Sequence, residues 1–306
     1  MATQTIATLT VENKTFYERT LLKRALPNLV FYKHGQKKPM PKNEGDTVQF
    51  RKFNSLDPAT QPLTEGVTPA GKALSITTLT ATVNQYGDYI ETSDKISLVG
   101  IDPVVTESTE LLGEQAGLTI DTVIRDILCA GTTVQYAGGR TSTDAITAAD
   151  VLTSTEVKKA ARNLKKNNIA PFDGKYYLGV IDAEQSYDLQ NDPLWQDVSK
   201  YNGGTAIMDG EIGRIGKVRF IETENLNVKQ NASSIDVHCA LIFGKDAYGV
   251  IDINGKSKPE IIVKGLGSSG TSDPLNQRAT VGWKALFTAV RLNELALCRV
   301  ETAVSE

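Results

Sequence analysis

Histidine and cysteine are scarce in this chain: two histidines (His34 and His238) and three cysteines (Cys129, Cys239 and Cys298) among 306 residues. Histidine is the commonest general acid–base group and metal ligand, so its scarcity argues against both kinds of site. The cysteines are odd in number and show no Cys-x-x-Cys spacing. They read as small buried hydrophobes in a reducing compartment. His238 sits in an apolar run with Val237, Cys239 and Leu241 and reads as a core histidine, whereas His34 sits in a lysine-rich turn.

Long apolar runs are missing too. No stretch reaches about 18 apolar residues, so no membrane span is expected, and the first residues lack the basic-then-apolar order of a signal peptide. There is no basic excess: 33 Lys and Arg against 36 Asp and Glu give a net charge of −3. That balance argues against gripping nucleic acid as the chain's main task. With 40% hydrophobic and 23% charged residues the composition is that of a folded protein, not a disordered one.

Chemical motifs are few. Gly265, Gly267 and Gly270 match a dinucleotide fingerprint after a strand. Such a site needs a helix directly behind the glycines, so that its N-terminal amides meet the pyrophosphate. Here the next strand follows within a few residues. The carboxylates of Asp88 and Glu91 lie close in sequence, but nothing places them in a cleft. We therefore expect no catalytic residues, no metal ligands and no cofactor, and no enzyme.

What the chain does have is an unusual order of parts. Residues 11–26 carry a helical pattern with Phe16, Leu21 and Leu22 apolar among Glu18, Arg19 and Lys23, and Thr10 and Pro27 bound it. Residues 35–45 are rich in Gly, Pro and Lys and read as a turn. Residues 47–53 and 74–90 alternate as strands. Between them, residues 54–73 show no period and contain Pro58, Pro62, Gly66, Pro69 and Gly71. A loop that long is unusual unless it makes contacts elsewhere, and Leu56, Leu63 and Val67 are not residues a solvated linker needs.

Asp102-Pro103 then opens a long helix whose stripe runs through Leu112, Ala116, Ile120, Ile124 and Leu128, widened by Leu111, Leu118, Val123 and Ile127. Gly131 is its stop. Residues 149–166 read as a helix whose cations (Lys158, Lys159, Arg162, Lys165, Lys166) form a solvated face. Strands at 176–182, 218–222, 237–243 and 248–253 follow, with a short helix near 184–188. Residues 261–306 return to strand around Trp283, Phe287 and Val290.

Arm, long hairpin loop, spine helix, central α/β region and terminal β return is an order that resembles tailed-phage major capsid proteins of the HK97-like fold. The local wording is similar to the subfamily typified by coliphage N4, in Lys14-Thr-Phe-Tyr-Glu-Arg-Thr-Leu-Leu22, Leu63-Thr-Glu-Gly-Val-Thr-Pro69, Gln85-Tyr-Gly-Asp-Tyr89 and Leu112-Gly-Glu-Gln-Ala-Gly-Leu118.

The resemblance implies an α+β fold in which residues 1–35 form an arm. Residues 36–144 would be the first part of a peripheral domain, with the extended loop at about 54–73 and the spine at about 103–130. Residues 145–260 would be an axial domain and 261–306 the peripheral return strands. It implies a shell of hexamers and pentamers enclosing double-stranded DNA without sequence-specific binding, with separate scaffolding and portal proteins as partners and no membrane. The head would be assembled in the host bacterial cytoplasm. The loop residues Leu56, Asp57, Pro58, Leu63, Thr64, Glu65, Gly66, Val67 and Pro69, and the arm residues Phe16, Tyr17, Arg19 and Leu22, would meet neighbouring subunits. The alternatives are a nanocompartment shell of the same fold, or a nucleotide-binding enzyme using the 265–270 loop.

Overall fold

The computed structural model describes residues 30–41, 45–54, 56–95, 104–195, 211–253, 259–268 and 273–305. Its organising element is a 26-residue helix, α2 (Val104–Cys129), about 39 Å long at 1.5 Å per residue. Among the described residues ahead of it stands a short helix, α1 (Val30–His34). The row Leu112, Ala116, Ile120, Ile124 and Leu128 is buried along its length. It packs between two sheets, which is why one helix needs so long an apolar seam.

The first sheet is built on β13 (Arg278–Arg291). One edge of β13 carries β11 (Tyr248–Ile253) and β12 (Glu260–Lys264), and the other carries β4 (Asn84–Ser93), all antiparallel. Val281, Trp283, Ala285, Phe287 and Ala289 alternate onto the helix side and join the core. Trp283 Nε1 donates to Gln115 Oε1 at 3.1 Å, and Gln115 Nε2 donates to Asp88 Oδ2 at 2.7 Å, tying strand, helix and sheet edge together. On the opposite face, Val48 and Phe50 of the hairpin β2 (Thr47–Phe53) and β3 (Ile76–Thr82) pack with Met40, Ala81, Val83, Ile251, Leu286 and Val290.

The second sheet runs β5 (Val134–Tyr136), β14 (Leu297–Thr302), β10 (Asp236–Phe243), β6 (Tyr177–Ile181), β8 (Val218–Glu222), β7 (Glu211–Ile215), with β9 (Val228–Gln230) also on β10. Strand β10 is buried on both faces. Cys239, Leu241 and Phe243 point toward α2, while Ala240 and Ile242 point toward helices α3 (Ser154–Lys166) and α4 (Ala183–Asn191). All three cysteines are buried and free, as expected of small core residues.

The C-terminal end of α2 is closed from both sheets. A helix leaves its last carbonyls without partners, and α2 has no basic residue in its last turn. Arg291 of β13 donates to the Ile127 carbonyl, and Arg299 of β14 donates to that of Cys129. Arg299 in turn pairs with the fully buried Glu301 at 2.9 Å, which also meets Lys229 at 3.2 Å and accepts from Thr143 Oγ1 at 2.6 Å.

Several expectations are corrected. Residues 35–45 do not form only a turn: β1 (Gln36–Met40) runs parallel to β11. Its Pro39 is tolerated because β1 is an edge strand. Leu111 and Leu118 are exposed and do not belong to the buried stripe. At 100° per residue they stand roughly 100° and 160° from the four-residue row. Helix α3 starts at Ser154, not at 149, because Val151 bridges to Ala303 and Asp150 accepts from Thr147 and Arg140. In the sheets, β11 joins the first, and β5 and β14 join the second. The Asp102-Pro103 start of the long helix lies outside the described residues.

We expect Arg299→Met to destabilise the subunit by roughly 3–5 kcal/mol, since it removes a cation that Glu301 and the end of α2 share. Urea unfolding followed by circular dichroism measures this.

Candidate assembly surface

The hairpin β2–β3 closes at Asn54 and Ser75. The Asn54 amide donates to Ser75 O at 2.9 Å, its Nδ2 donates to Ser75 Oγ at 3.0 Å, and Thr77 Oγ1 donates to Asn54 Oδ1 at 3.1 Å. Beyond that closure the chain leaves the body. Residues 56–75 form no helix or strand, and every one of them is exposed.

The sequence explains the conformation. Pro58, Pro62 and Pro69 lack amide donors and disfavour regular pairing. Gly66, at φ +76°, occupies the third position of a turn closed by the Val67 amide donating to Thr64 O at 3.1 Å, a backbone shape that suits glycine. Lys72 Nζ donates to Asp57 O at 3.2 Å and draws the two limbs together.

The expected loop contacts therefore share one projection. Leu56, Asp57 and Pro58 stand on the outgoing limb; Leu63, Thr64, Glu65, Gly66 and Val67 form or flank the turn; Pro69 stands on the returning limb. Leu63 is 78% exposed and Leu74 69%, and Phe53, Leu56, Val67 and Ile76 are exposed too. So many uncovered large apolar side chains stand together on one projection, whereas scattered single ones would need no explanation. A cleft of about 420 Å³, lined in part by Phe50, Leu79, Ile169 and Leu292, separates the hairpin from the body. The arm residues Phe16, Tyr17, Arg19 and Leu22 lie outside the described residues.

Further exposed apolar positions escaped the sequence reading. On the face of the first sheet turned away from α2, Tyr89 and Ile262 flank Gly282, with Lys264 and Lys284 beside them, around a hollow of about 710 Å³. Leu111 and Leu118 are exposed on the spine. Strand alternation alone does not say which face is covered, so the sequence held no signal for Tyr89 and Ile262.

The acid–base groups are used structurally. His238 is buried. Its Nδ1 is bonded to Asp182, and its Nε2 lies 3.3 Å from Glu184 Oε2. Asp182 caps α4 by accepting from the Gln185 amide at 2.8 Å. Burial alone would lower the histidine pKa. The bond to Asp182, with the charges of Asp182, Glu184 and Asp236, outweighs burial and holds it above 6.5. The glycine motif at 265–270 lies between β12 and β13, which are antiparallel partners, so the pair is not the parallel β-helix-β unit a dinucleotide site requires. Among the described residues no group of three or more His, Cys, Asp or Glu side chains is arranged to hold a metal ion.

Residues 76–300 match the family model described as "Phage capsid protein". The chain belongs to that family. No curated protein sequence matches it. Among solved structures it is similar to the capsid of Ralstonia phage GP4, with a TM-score of 0.67, 13% identity, and 90% of this chain and 91% of that one covered. It is also similar to the capsid of cyanophage P-SCSP1u (TM-score 0.66, 16% identity, 91% and 89% covered). The head structure of Helicobacter pylori bacteriophage KHP40 is similar as well (TM-score 0.66, 12% identity, 89% and 91% covered). The fold is the HK97-like capsid fold. Family and fold together point to a structural protein of a phage shell and away from an enzyme.

The His238 pair supplies a pH-dependent contribution to stability. A raised folded-state pKa means the contribution is complete below pH 6.5 and fades as pH rises through the folded value. We expect His238→Gln to flatten the decline in Tm across that window, as read by thermal scans from pH 5.5 to 9.

Proposed function

We propose that this chain is the major capsid subunit of a tailed phage of the coliphage N4 kind, and that the loop at 54–75 fastens each subunit to its neighbour. The observation that carries the reading is the loop itself. Its apolar residues are exposed, it has few hydrogen bonds of its own, and its root is held firmly by the β2–β3 ladder. A heterologous contact repeated around a closed ring needs such a reaching element, and many weak overlaps sum to a stable shell.

On this reading the first sheet with α2 forms the peripheral domain and the second sheet with α3 and α4 the axial domain. The axial parts gather around the centres of hexamers and pentamers. Leu56, Leu63 and Val67 bury against the adjacent subunit, with Asp57, Glu65 and Lys72 at the rim of the contact. Phe16, Tyr17, Arg19 and Leu22 of the N-terminal segment make a second contact. The shell encloses double-stranded DNA without reading its sequence, which suits a net charge of −3. Scaffolding and portal proteins are its further partners, and assembly takes place in the host cytoplasm.

Electron microscopy with mass measurement on the chain expressed alone tests this, with residues 56–73 intact or replaced by a short Gly-Ser link. We expect closed shells, rings or capsomers from the intact chain and their loss from the replaced one, with circular dichroism unchanged. Leu63→Ser with Val67→Ser should weaken assembly while leaving folding stability within about 0.5 kcal/mol. Equal assembly with and without the loop would contradict the reading.

A further inference from the structure

Helix α1 is the first described element of the chain, and one side chain of the spine holds its start. Asp121, on α2, is 1% exposed. Its carboxylate accepts from the Phe31 amide at 2.9 Å, and from the Val30 amide, at the start of α1. Phe31 itself is fully buried against the spine and the first sheet. Tyr248 of β11 donates its hydroxyl to the Phe31 carbonyl at 2.5 Å. Gly35 follows directly, where a Cβ would stand 2.7 Å from both the Tyr248 ring and Val250. The junction is therefore closely fitted, and Asp121 is the ionisable group that the spine contributes to it.

What surrounds Asp121 matters. Asn225, from the turn after β8, donates to it weakly at 3.4 Å. The cation nearest in sequence, Arg125 one turn along α2, is committed to Asn225 Oδ1 at 2.7 Å and to Asp126 at 2.7 Å. Tyr248 stays neutral, since full burial and the Asp121 charge push its pKa well above 10. On α1, Lys33 is exposed and His34 packs edge-on against Phe172. Asp121 has no ion-pair partner among the described residues. A buried carboxylate without one is costly as an anion and cheap as a neutral acid.

We propose that Asp121 is a proton-operated latch on the root of the N-terminal segment: α1 docks on the spine more tightly when this carboxyl takes up a proton, and more loosely when it gives the proton up. The neutral acid keeps an oxygen for the Phe31 amide and no longer brings a charge into the core. When α1 lifts away, water reaches the carboxyl and the anion is no longer penalised. Burial, opposed by the Phe31, Asn225 and Val30 hydrogen bonds and by Arg125, raises its pKa from 3.8 to about 6 in the docked state. The latch therefore works between mildly acidic and neutral pH. The device belongs to the single subunit and does not require assembly.

Hydrogen exchange of the full-length chain between pH 4.5 and 8 tests it, with protection at residues 30–41 taken relative to β13, which carries no histidine or carboxylate. The wild-type ratio should rise by about 30-fold toward acid, as linkage gives for a carboxyl moving between those two values. Asp121→Asn should remove that rise and leave only the opposite dependence of His34, whose pKa burial and Lys33 lower. Tyr248→Phe should lower protection at every pH and keep the slope. A flat wild-type profile, or an unchanged slope in Asp121→Asn, overturns the latch. Should Asp121→Asn fail to fold, carboxyl NMR of Asp121 in the wild type decides: titration near pH 6 supports the latch, and titration below about pH 4.5 overturns it.

Discussion

Nearly every part of this subunit depends on the burial of one helix between two sheets. The row from Leu112 to Leu128 gives β13 and β10 a common surface, and Phe243 of β10 also meets Tyr248 of β11 edge-on. A helix sunk this deeply must have its exposed backbone ends satisfied, and α2 carries no basic residue in its last turn to do so. Arg291 and Arg299 supply the donors from outside, one from each sheet. Closure of the helix end and joining of the sheets are thus one arrangement. Asp121 extends it by fixing the start of α1 to the middle of the spine.

That rigidity gives the loop its meaning. An extended, proline-bearing segment with exposed leucines has little stability of its own. Rooted in a seven-pair ladder that packs through Val48 and Phe50 onto the first sheet, it projects from a fixed base. A firm body with a soft projecting limb suits a shell subunit, because the limb can adapt to a neighbour while the body keeps its shape.

Much of this was legible in the sequence. Strands β2, β8 and β11 match the expected ranges residue for residue, because the alternation of β2 and the short apolar runs of β8 and β11 leave few alternatives. The spine's four-residue row was legible for the same reason. Other features depend on distant partners. Strand β1 reads as a turn until β11, more than 200 residues later, pairs with it. Strands β5 and β9, of three residues each, carry no period of their own. Leu111 and Leu118 look like core because composition does not record which side of a helix the sheets occupy. The loop's lack of structure was visible in its prolines and glycines; its complete exposure was not. The burial of Asp121 was invisible, since an aspartate inside a helical pattern reads as a surface residue.

The central claim is that the loop at 54–75 crosses from one subunit to the next. A cryo-electron microscopy map of assembled particles tests it most directly. The account predicts loop density lying across a subunit boundary, with Leu63 and Val67 buried against the neighbouring copy. A loop folded back on its own subunit, or standing in solvent with those side chains uncovered, would contradict it.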